Sequence, residues 1–351
     1  MKTYLVTGGA GFIGSNFIQY MLNKYSDIYI INYDKLTYAG NPENLRNNEK
    51  DSRYSFVQGD ICEKEKVNEI FRKNSIDYVV NFAAESHVDR SIKDPEIFIR
   101  TNVLGTVNLL NAAKADWSEG QGFRAGKKFL QVSTDEVYGS LGNTGYFTEN
   151  TPLNPHSPYS SSKAGADLVI KAYYDTFGMP VNITRCSNNY GPYQFPEKLI
   201  PLVINNCLNK KPLPVYGDGL NIRDWLYVED HCRAIDMVIN FGEPGNVYNI
   251  GGGNERTNIH IVRLIIDYLH DNVDKGIDEK LIRYVEDRKG HDRRYGIDAT
   301  KIREELGWEP ETCFESGIIK TIEWYLSNKE WVKKITSGEY QKYYFSMYGV
   351  D

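Results

Sequence analysis

The stretch TYLVTGGAGFIG, residues 3–14, constrains this chain more than any other. A short β-type run from Thr3 to Thr7 meets a glycine loop, Gly8-Gly9-Ala10-Gly11-Phe12-Ile13-Gly14. Apolar residues then recur at helical spacing over residues 11–24, through Phe12, Ile13, Phe17, Ile18, Met21 and Leu22. From Gly9 the loop reads GxGxxG in the strand-to-helix context that the motif requires. Glycine permits the tight turn and lets backbone amides approach a pyrophosphate, which the helix N-terminus then stabilises. The expectation is a dinucleotide site at the start of a parallel α/β sheet.

The same alternation continues downstream. IYIINYD, YSFVQGD, IDYVVNFAA, KKFLQVS and VNITRC are buried-strand candidates, separated by helical stretches such as 63–74 and 95–115. Strands interleaved with helices predict an α/β fold with a doubly wound parallel sheet, the Rossmann architecture. Asp94-Pro95 and Ser157-Pro158 read as helix starts, an oxygen cap followed by a residue suited to the first turn. After about Gly191 the texture becomes Pro-punctuated (PYQFPEKLIPL, NKKPLPVYGDG) and strict alternation is lost. A Rossmann domain over 1–190 and a second, smaller C-terminal α/β substrate domain over 191–351 are expected. DWLYVEDHCRAIDMVI and NVYNIGGG would return the chain to the first domain near 225–250.

A formal charge of -6 argues against nucleic-acid and membrane-surface partners, because phosphate-rich polymers need a net basic face. The five cysteines lack a CxxC pair, so neither a disulfide framework nor a metal site is expected. His87 has no second ligand at a metal spacing and reads as structural. The N-terminal residues lack the pattern of a signal peptide, and the expected location is cytoplasmic.

Asp34 follows Gly14 by about 20 residues at the end of the second strand, where a carboxylate accepts both ribose hydroxyls and repels an extra phosphate. Lys35 beside it weakens that discrimination. Asp60, closing QGD, would reach an adenine edge. Tyr159 and Lys163, at i and i+4 on the helix from Ser157, share one face, so the ammonium is expected to lower the phenol pKa and make a base for hydride chemistry at a carbinol. Ser133-Thr134-Asp135-Glu136 follows the fifth strand, at the crevice where ligands bind in open sheets. Ser133 and Glu136 also match a capping box, although Gly139 leaves little helix to cap. Adjacent carboxylates push their pKa values apart, giving one acid and one base, as loss of water from a sugar requires.

TGGAGFIG, Asp34, Asp60, NFAAESHVDRS and YSSSK together resemble the extended short-chain dehydrogenase/reductase family over essentially the whole chain. STDEVYG resembles its nucleotide-sugar 4,6-dehydratases. NNYGPYQFPEKLIPL, PLPVYGDGLNIRDWLYVEDH and DRKGHDRRYGID resemble the dTDP-glucose branch, from which Lys289 departs in place of a common proline. The resemblance implies NAD as cofactor, held by Gly8, Gly11, Phe12, Ile13, Gly14, Asp34, Lys35, Leu36, Thr37, Asp60, Ile61, Ala83, Ala84, Ser86, Thr101, Ser133, Asn188, Tyr159 and Lys163. It places the substrate among Ser86, Thr134, Asn189, Leu199, Pro214, Val215, Tyr216, Asn258, Asp287 and Asp292. Lys198, Arg223, His291 and Arg294 are the cations expected around its diphosphate, which needs concentrated positive charge inside an acidic protein.

The implied reaction oxidises C4 of dTDP-glucose with Tyr159 as base, takes the C5 proton to Glu136, and expels the C6 hydroxyl with a proton from Asp135. Thr134 bonds the C4 oxygen, and the hydride returns to C6. Overall dehydration consumes no oxidant, so the dinucleotide is expected to stay resident and copurify. A 4-epimerase or decarboxylase of the same fold is the alternative enzyme, which the paired acids disfavour. A non-catalytic NAD sensor is the alternative outside enzymes, disfavoured by the presence of both Tyr159 and Lys163. By the same resemblance, two chains are expected to pair through helices 95–115 and 157–177 as a homodimer.

Overall fold

A computed structural model describes residues 1–336. The end of the expected second domain, 337–351, lies outside the described residues. Seven parallel strands form the main sheet, in the spatial order Val247–Ile250, Val181–Cys186, Lys128–Thr134, Tyr78–Asn81, Lys2–Thr7, Ile28–Asp34 and Tyr54–Gln58. The first strand shows why the sheet is covered on both sides. Tyr4 and Val6 point to one face, against Phe17, Ile18 and Met21 of helix Phe12–Lys24 and Ile235 and Val238 of helix Val228–Phe241. Leu5 points to the other, against Val67 and Phe71 of helix Lys64–Lys73 and Leu109 and Trp117 of helix Thr106–Trp117. Strand periodicity of two supplies both faces from one apolar run. Each such side chain contributes roughly 1.5–3 kcal/mol by leaving water.

The C-terminal half adds small sheets and a third core. Strand Ile222–Tyr227 runs parallel to Asn188–Tyr190 and antiparallel to Glu255–Thr257, and Leu213–Tyr216 runs parallel to Ile282–Val285. Helices Leu199–Leu208, Asn258–Asn272 and Phe314–Ser327 bury Val203, Ile265, Phe314 and Ile318 among them. The chain does re-enter the main sheet, where Val247–Ile250 pairs beside Val181–Cys186. No helix among the described residues is long and apolar enough to cross a membrane.

Several local expectations need correction. The helix expected over 95–115 is three pieces: Pro95–Phe98, a π-helical stretch Ile99–Gly105, and Thr106–Trp117. Asp94 heads it, but its side chain accepts no helix amide. Ser133 caps nothing: Thr134 Oγ1 accepts the amide of Glu136 at 3.3 Å, opening the 3-10 turn Asp135–Tyr138. Ser157 does cap its helix, accepting the Ser160 amide at 3.0 Å while Ser160 Oγ accepts the Ser157 amide at 3.0 Å. That reciprocal box fixes the start of Pro158–Phe177, and with it the register of Tyr159 and Lys163.

Candidate active site

The glycine loop is built for close approach. Gly8 has φ +68°, and a Cβ there would lie 2.6 Å from the Ala83 nitrogen. A Cβ on Gly14 would strike the Gly8 carbonyl. Asp34 anchors the loop from below, its Oδ2 accepting the Ala10 amide at 2.9 Å and its Oδ1 the Leu36 amide at 2.7 Å. Burial raises the Asp34 pKa and those two amides offset only part of the rise. Lys35 is spent on Asp60, with Nζ 2.8 Å from Oδ2. Burial alone would raise Asp60, yet Lys35 and the Cys62 amide bring it below its usual range. The cation beside the ribose position is therefore neutralised by Asp60, which restores Asp34 as the deciding charge.

A cavity of about 310 Å³ opens above this loop. Of the residues expected to hold the dinucleotide, only Leu36 does not line it. Leu36 takes φ +59° at the corner after the second strand and supplies its amide to Asp34 instead. Ser133 Oγ and Asn188 Oδ1 are buried on the wall with no hydrogen-bond partner among the described residues. A glycine cradle, a ribose-height carboxylate and unpaired polar atoms on one wall fit a dinucleotide. Thr101, in the π-helical stretch, also lines the cavity.

At the inner end stand Thr134, Glu136, Tyr159 and Lys163. Lys163 Nζ donates to the Val132 carbonyl at 2.7 Å, across to the neighbouring strand, and burial lowers its pKa. Burial raises the Tyr159 phenol well above its ordinary value, Glu136 and Cys186 raise it further, and the Thr134 hydroxyl opposes them. Asp135 sits behind the wall, 1% exposed, with Oδ1 3.4 Å from Thr134 Oγ1. Burial, then Glu136 and Asp224, holds its carboxyl well above the usual range. Burial raises Glu136 too, but Arg223, Lys198 and Arg288 pull it back. Both carboxyls are raised, Asp135 more strongly, and only Glu136 has three cations opposing its rise.

A second cavity of about 180 Å³ adjoins the first and shares Ser86, Glu136, Asn188, Asn189, Gln194, Glu197 and Lys198 with it. Leu199, Pro214, Val215, Tyr216, Arg223, Asn258, His291 and Asp292 line it as expected. Asp287 and Arg294 do not. Arg294 forks onto Glu255 at 2.8 and 3.0 Å, and Asp287 accepts from or pairs with His291 Nδ1 at 2.5 Å. His291 is no cation either, since burial and then Arg288 push it down to about 4. The charge around this cavity comes from Arg223, whose guanidinium lies 4.2 Å over the Tyr295 ring, from Lys198, 3.0 Å from the Ser86 carbonyl, and from Arg288, 3.3 Å from Asp89. Arg288, Gln194, Glu197 and Tyr295 line the cavity without having been singled out. Glu197 was readable beside Lys198 in QFPEKL, while Arg288 lay unresolved within the charged run DRKGHD.

The family described as GDP-mannose 4,6 dehydratase matches residues 5–321. The dTDP-glucose 4,6-dehydratase of Xanthomonas campestris pv. campestris (strain B100) is 52% identical over 345 residues, covering 97% of this chain and 98% of that protein. The crystal structure of dTDP-glucose 4,6-dehydratase from Bacillus anthracis in complex with NAD is 52% identical, with a TM-score of 0.86 over 95% of this chain and all of that one. That of the Streptomyces venezuelae enzyme with NAD bound is 46% identical, with a TM-score of 0.88 over 95% of this chain and 99% of that one. Two adjoining cavities, a glycine cradle and the Glu136 carboxylate at their junction thus come with half-identical relatives along nearly the whole length, and the chain belongs to the dTDP-glucose 4,6-dehydratase family, within the extended short-chain dehydrogenase/reductases.

Proposed function

We propose that this chain converts dTDP-glucose to dTDP-4-dehydro-6-deoxyglucose and water, with NAD in the larger cavity and the nucleotide sugar in the smaller. One observation carries the reading: Glu136 lines both cavities, with Tyr159 and Thr134 on the wall of the larger and Asp135 buried behind Thr134. NAD held by the glycine loop and Asp34 would supply a reversible two-electron acceptor for C4 that is restored at C6, and a positive charge in the same cavity as Tyr159. Tyr159 takes the C4 hydroxyl proton, and Thr134 bonds that oxygen. A C4 ketone acidifies C5, whose proton Glu136 removes. Asp135 lines neither cavity, so its proton passes through the Thr134 hydroxyl, 3.4 Å away, to the C6 hydroxyl, which leaves as water, and a proton returns to C5 as C6 is reduced. Arg223, Lys198 and Arg288 neutralise the diphosphate.

Turnover in deuterated water tests this. The expected product carries deuterium at C5 and the former C4 hydrogen at C6, both visible by NMR. A 4-epimer without loss of water would instead assign the site to the epimerase alternative, and bound NAD without turnover of any nucleotide sugar would assign it to a sensor.

A homodimer is proposed on exposed apolar residues of two adjacent elements. Leu104 is 55% exposed on the π-helical stretch and Leu168 is 62% exposed on Pro158–Phe177. The two elements are tied by the Asn102 Nδ2 to Ser162 Oγ bond of 2.8 Å. Exposed large apolar side chains on two elements tied together support an association face there. Leu104→Asp with Leu168→Asp is expected to leave particles of one 40.2 kDa chain by light scattering, where the parent doubles that mass. A variant that keeps the parent's mass would refute the face. All five cysteines are unpaired, which fits a reducing, cytoplasmic setting.

A further inference from the structure

The segment that cradles the dinucleotide is held from a helix near the far end of the described chain. Trp331, on helix Lys329–Ile335, donates its indole Nε1–H to Asn44 Oδ1 at 2.8 Å. Asn44 is 4% exposed and turns its other side-chain end inward, Nδ2 donating to the Ala10 carbonyl at 3.0 Å. Ala10 is the middle of the glycine loop, and its amide is already fixed by Asp34. The two peptide units that flank Ala10 are thus held from opposite ends, the 9–10 peptide at its N–H by Asp34 and the 10–11 peptide at its C=O by Asn44 together with the Asn41 amide. The amide orientation of Asn44 is fixed from both ends, because the Trp331 indole can only donate to its oxygen and the Ala10 carbonyl can only accept from its nitrogen.

The same indole belongs to an aromatic cluster under the segment between the cavities. Its ring lies 5.0 Å from Trp324 and 5.9 Å from Tyr193. Tyr193 has φ +67° and precedes Gln194, whose carbonyl accepts the Tyr325 hydroxyl. Gln194 lines both cavities. Trp331 therefore touches no ligand position itself and yet supports both the glycine loop and the wall of the sugar cavity.

The geometry points to Trp331 as a positioning residue for NAD, acting through Asn44 on the Ala10 peptide. The inference rests on the NAD reading of the larger cavity. Sequence separation of 287 residues between the indole and Asn44 makes the link a purely tertiary one.

The test uses the full chain, stripped of nucleotide and titrated with NAD by calorimetry, with hydrogen exchange followed in parallel. Trp331→Phe keeps the ring packing and removes the N–H. It is expected to weaken NAD binding about threefold to tenfold, the scale of one hydrogen bond, and to speed exchange in peptides covering 8–14 and 41–48. Exchange in helix Thr106–Trp117, which packs in a different core, is expected to stay unchanged. In an Asn44→Ala background the same substitution should add no further loss of NAD affinity. Equal affinity in Trp331→Phe and parent, or an equal further loss in both backgrounds, overturns the inference and leaves the NAD reading standing. A parent that binds no NAD overturns both. Should Asn44→Ala fail to fold, exchange decides: unchanged protection of residues 8–14 in Trp331→Phe overturns the link.

Discussion

Glu136→Gln is expected to lower formation of the 6-deoxy product by roughly 10²–10⁴-fold, the contribution of a positioned general base, while the nucleotide sugar and NAD still bind. The amide keeps the shape of the carboxylate, and Thr134 Oγ1 accepts the backbone amide of residue 136, not its side chain, so the 3-10 turn should persist. What is lost is the only role an amide cannot fill, accepting the C5 proton. Because C4 oxidation depends on Tyr159, it should continue for a single turnover and be visible as the near-ultraviolet band of the reduced dinucleotide. The prediction separates Glu136 from Asp135 as well. Glu136 lines both cavities, whereas Asp135 is buried behind Thr134, so only Glu136 has open access to a substrate carbon. Unchanged yield of 6-deoxy sugar would remove Glu136 from the role of base and with it the reading that its place at the junction of the cavities carries.

How far this was legible in the sequence follows the range of the forces involved. The glycine loop, the strand pattern and the Tyr159–Lys163 register are local, set by periodicities and by a cap within a few residues, and they appear where the chain predicts them. Electrostatics are not local. Lys163 lies one helical turn from Tyr159, and its ammonium also donates to the Val132 carbonyl, a strand neighbour that no spacing could identify. The run DRKGHDRRYGID contains enough charge for a diphosphate, but the loop decides which side chains face the cavity. It turns Arg288 and Asp292 inward and leaves Asp287 and Arg294 outside, the latter drawn to Glu255 on another strand. The π-helical stretch within residues 95–117 preserves helical apolar spacing and so gives no warning in sequence. Trp331 was invisible for the same reason that makes it informative: its partner is at the opposite end of the chain.

Tyr159→Phe is expected to cost roughly 10²–10⁴-fold in turnover, and its pH behaviour tests the electrostatics directly. Burial, Glu136 and Cys186 all favour the neutral phenol, and the Thr134 hydroxyl only partly opposes them. A base works from its deprotonated form, so raising its pKa lowers the active fraction at neutral pH. The consequence has a definite sign: activity should climb as pH rises, and Tyr159 in NAD-stripped protein should not ionise below pH ~10, the ordinary phenol value. Subtracting the ultraviolet titration of Tyr159→Phe from that of the parent isolates this one phenol among 26 tyrosines. The same difference taken with NAD bound should show ionisation at lower pH, because a positive charge in the same cavity as a buried phenolate stabilises the charged form in a low-dielectric site. A phenol that already titrates near neutrality in the stripped protein would mean that Lys163 alone activates it, and that the bond from Lys163 to Val132 is not the state that matters.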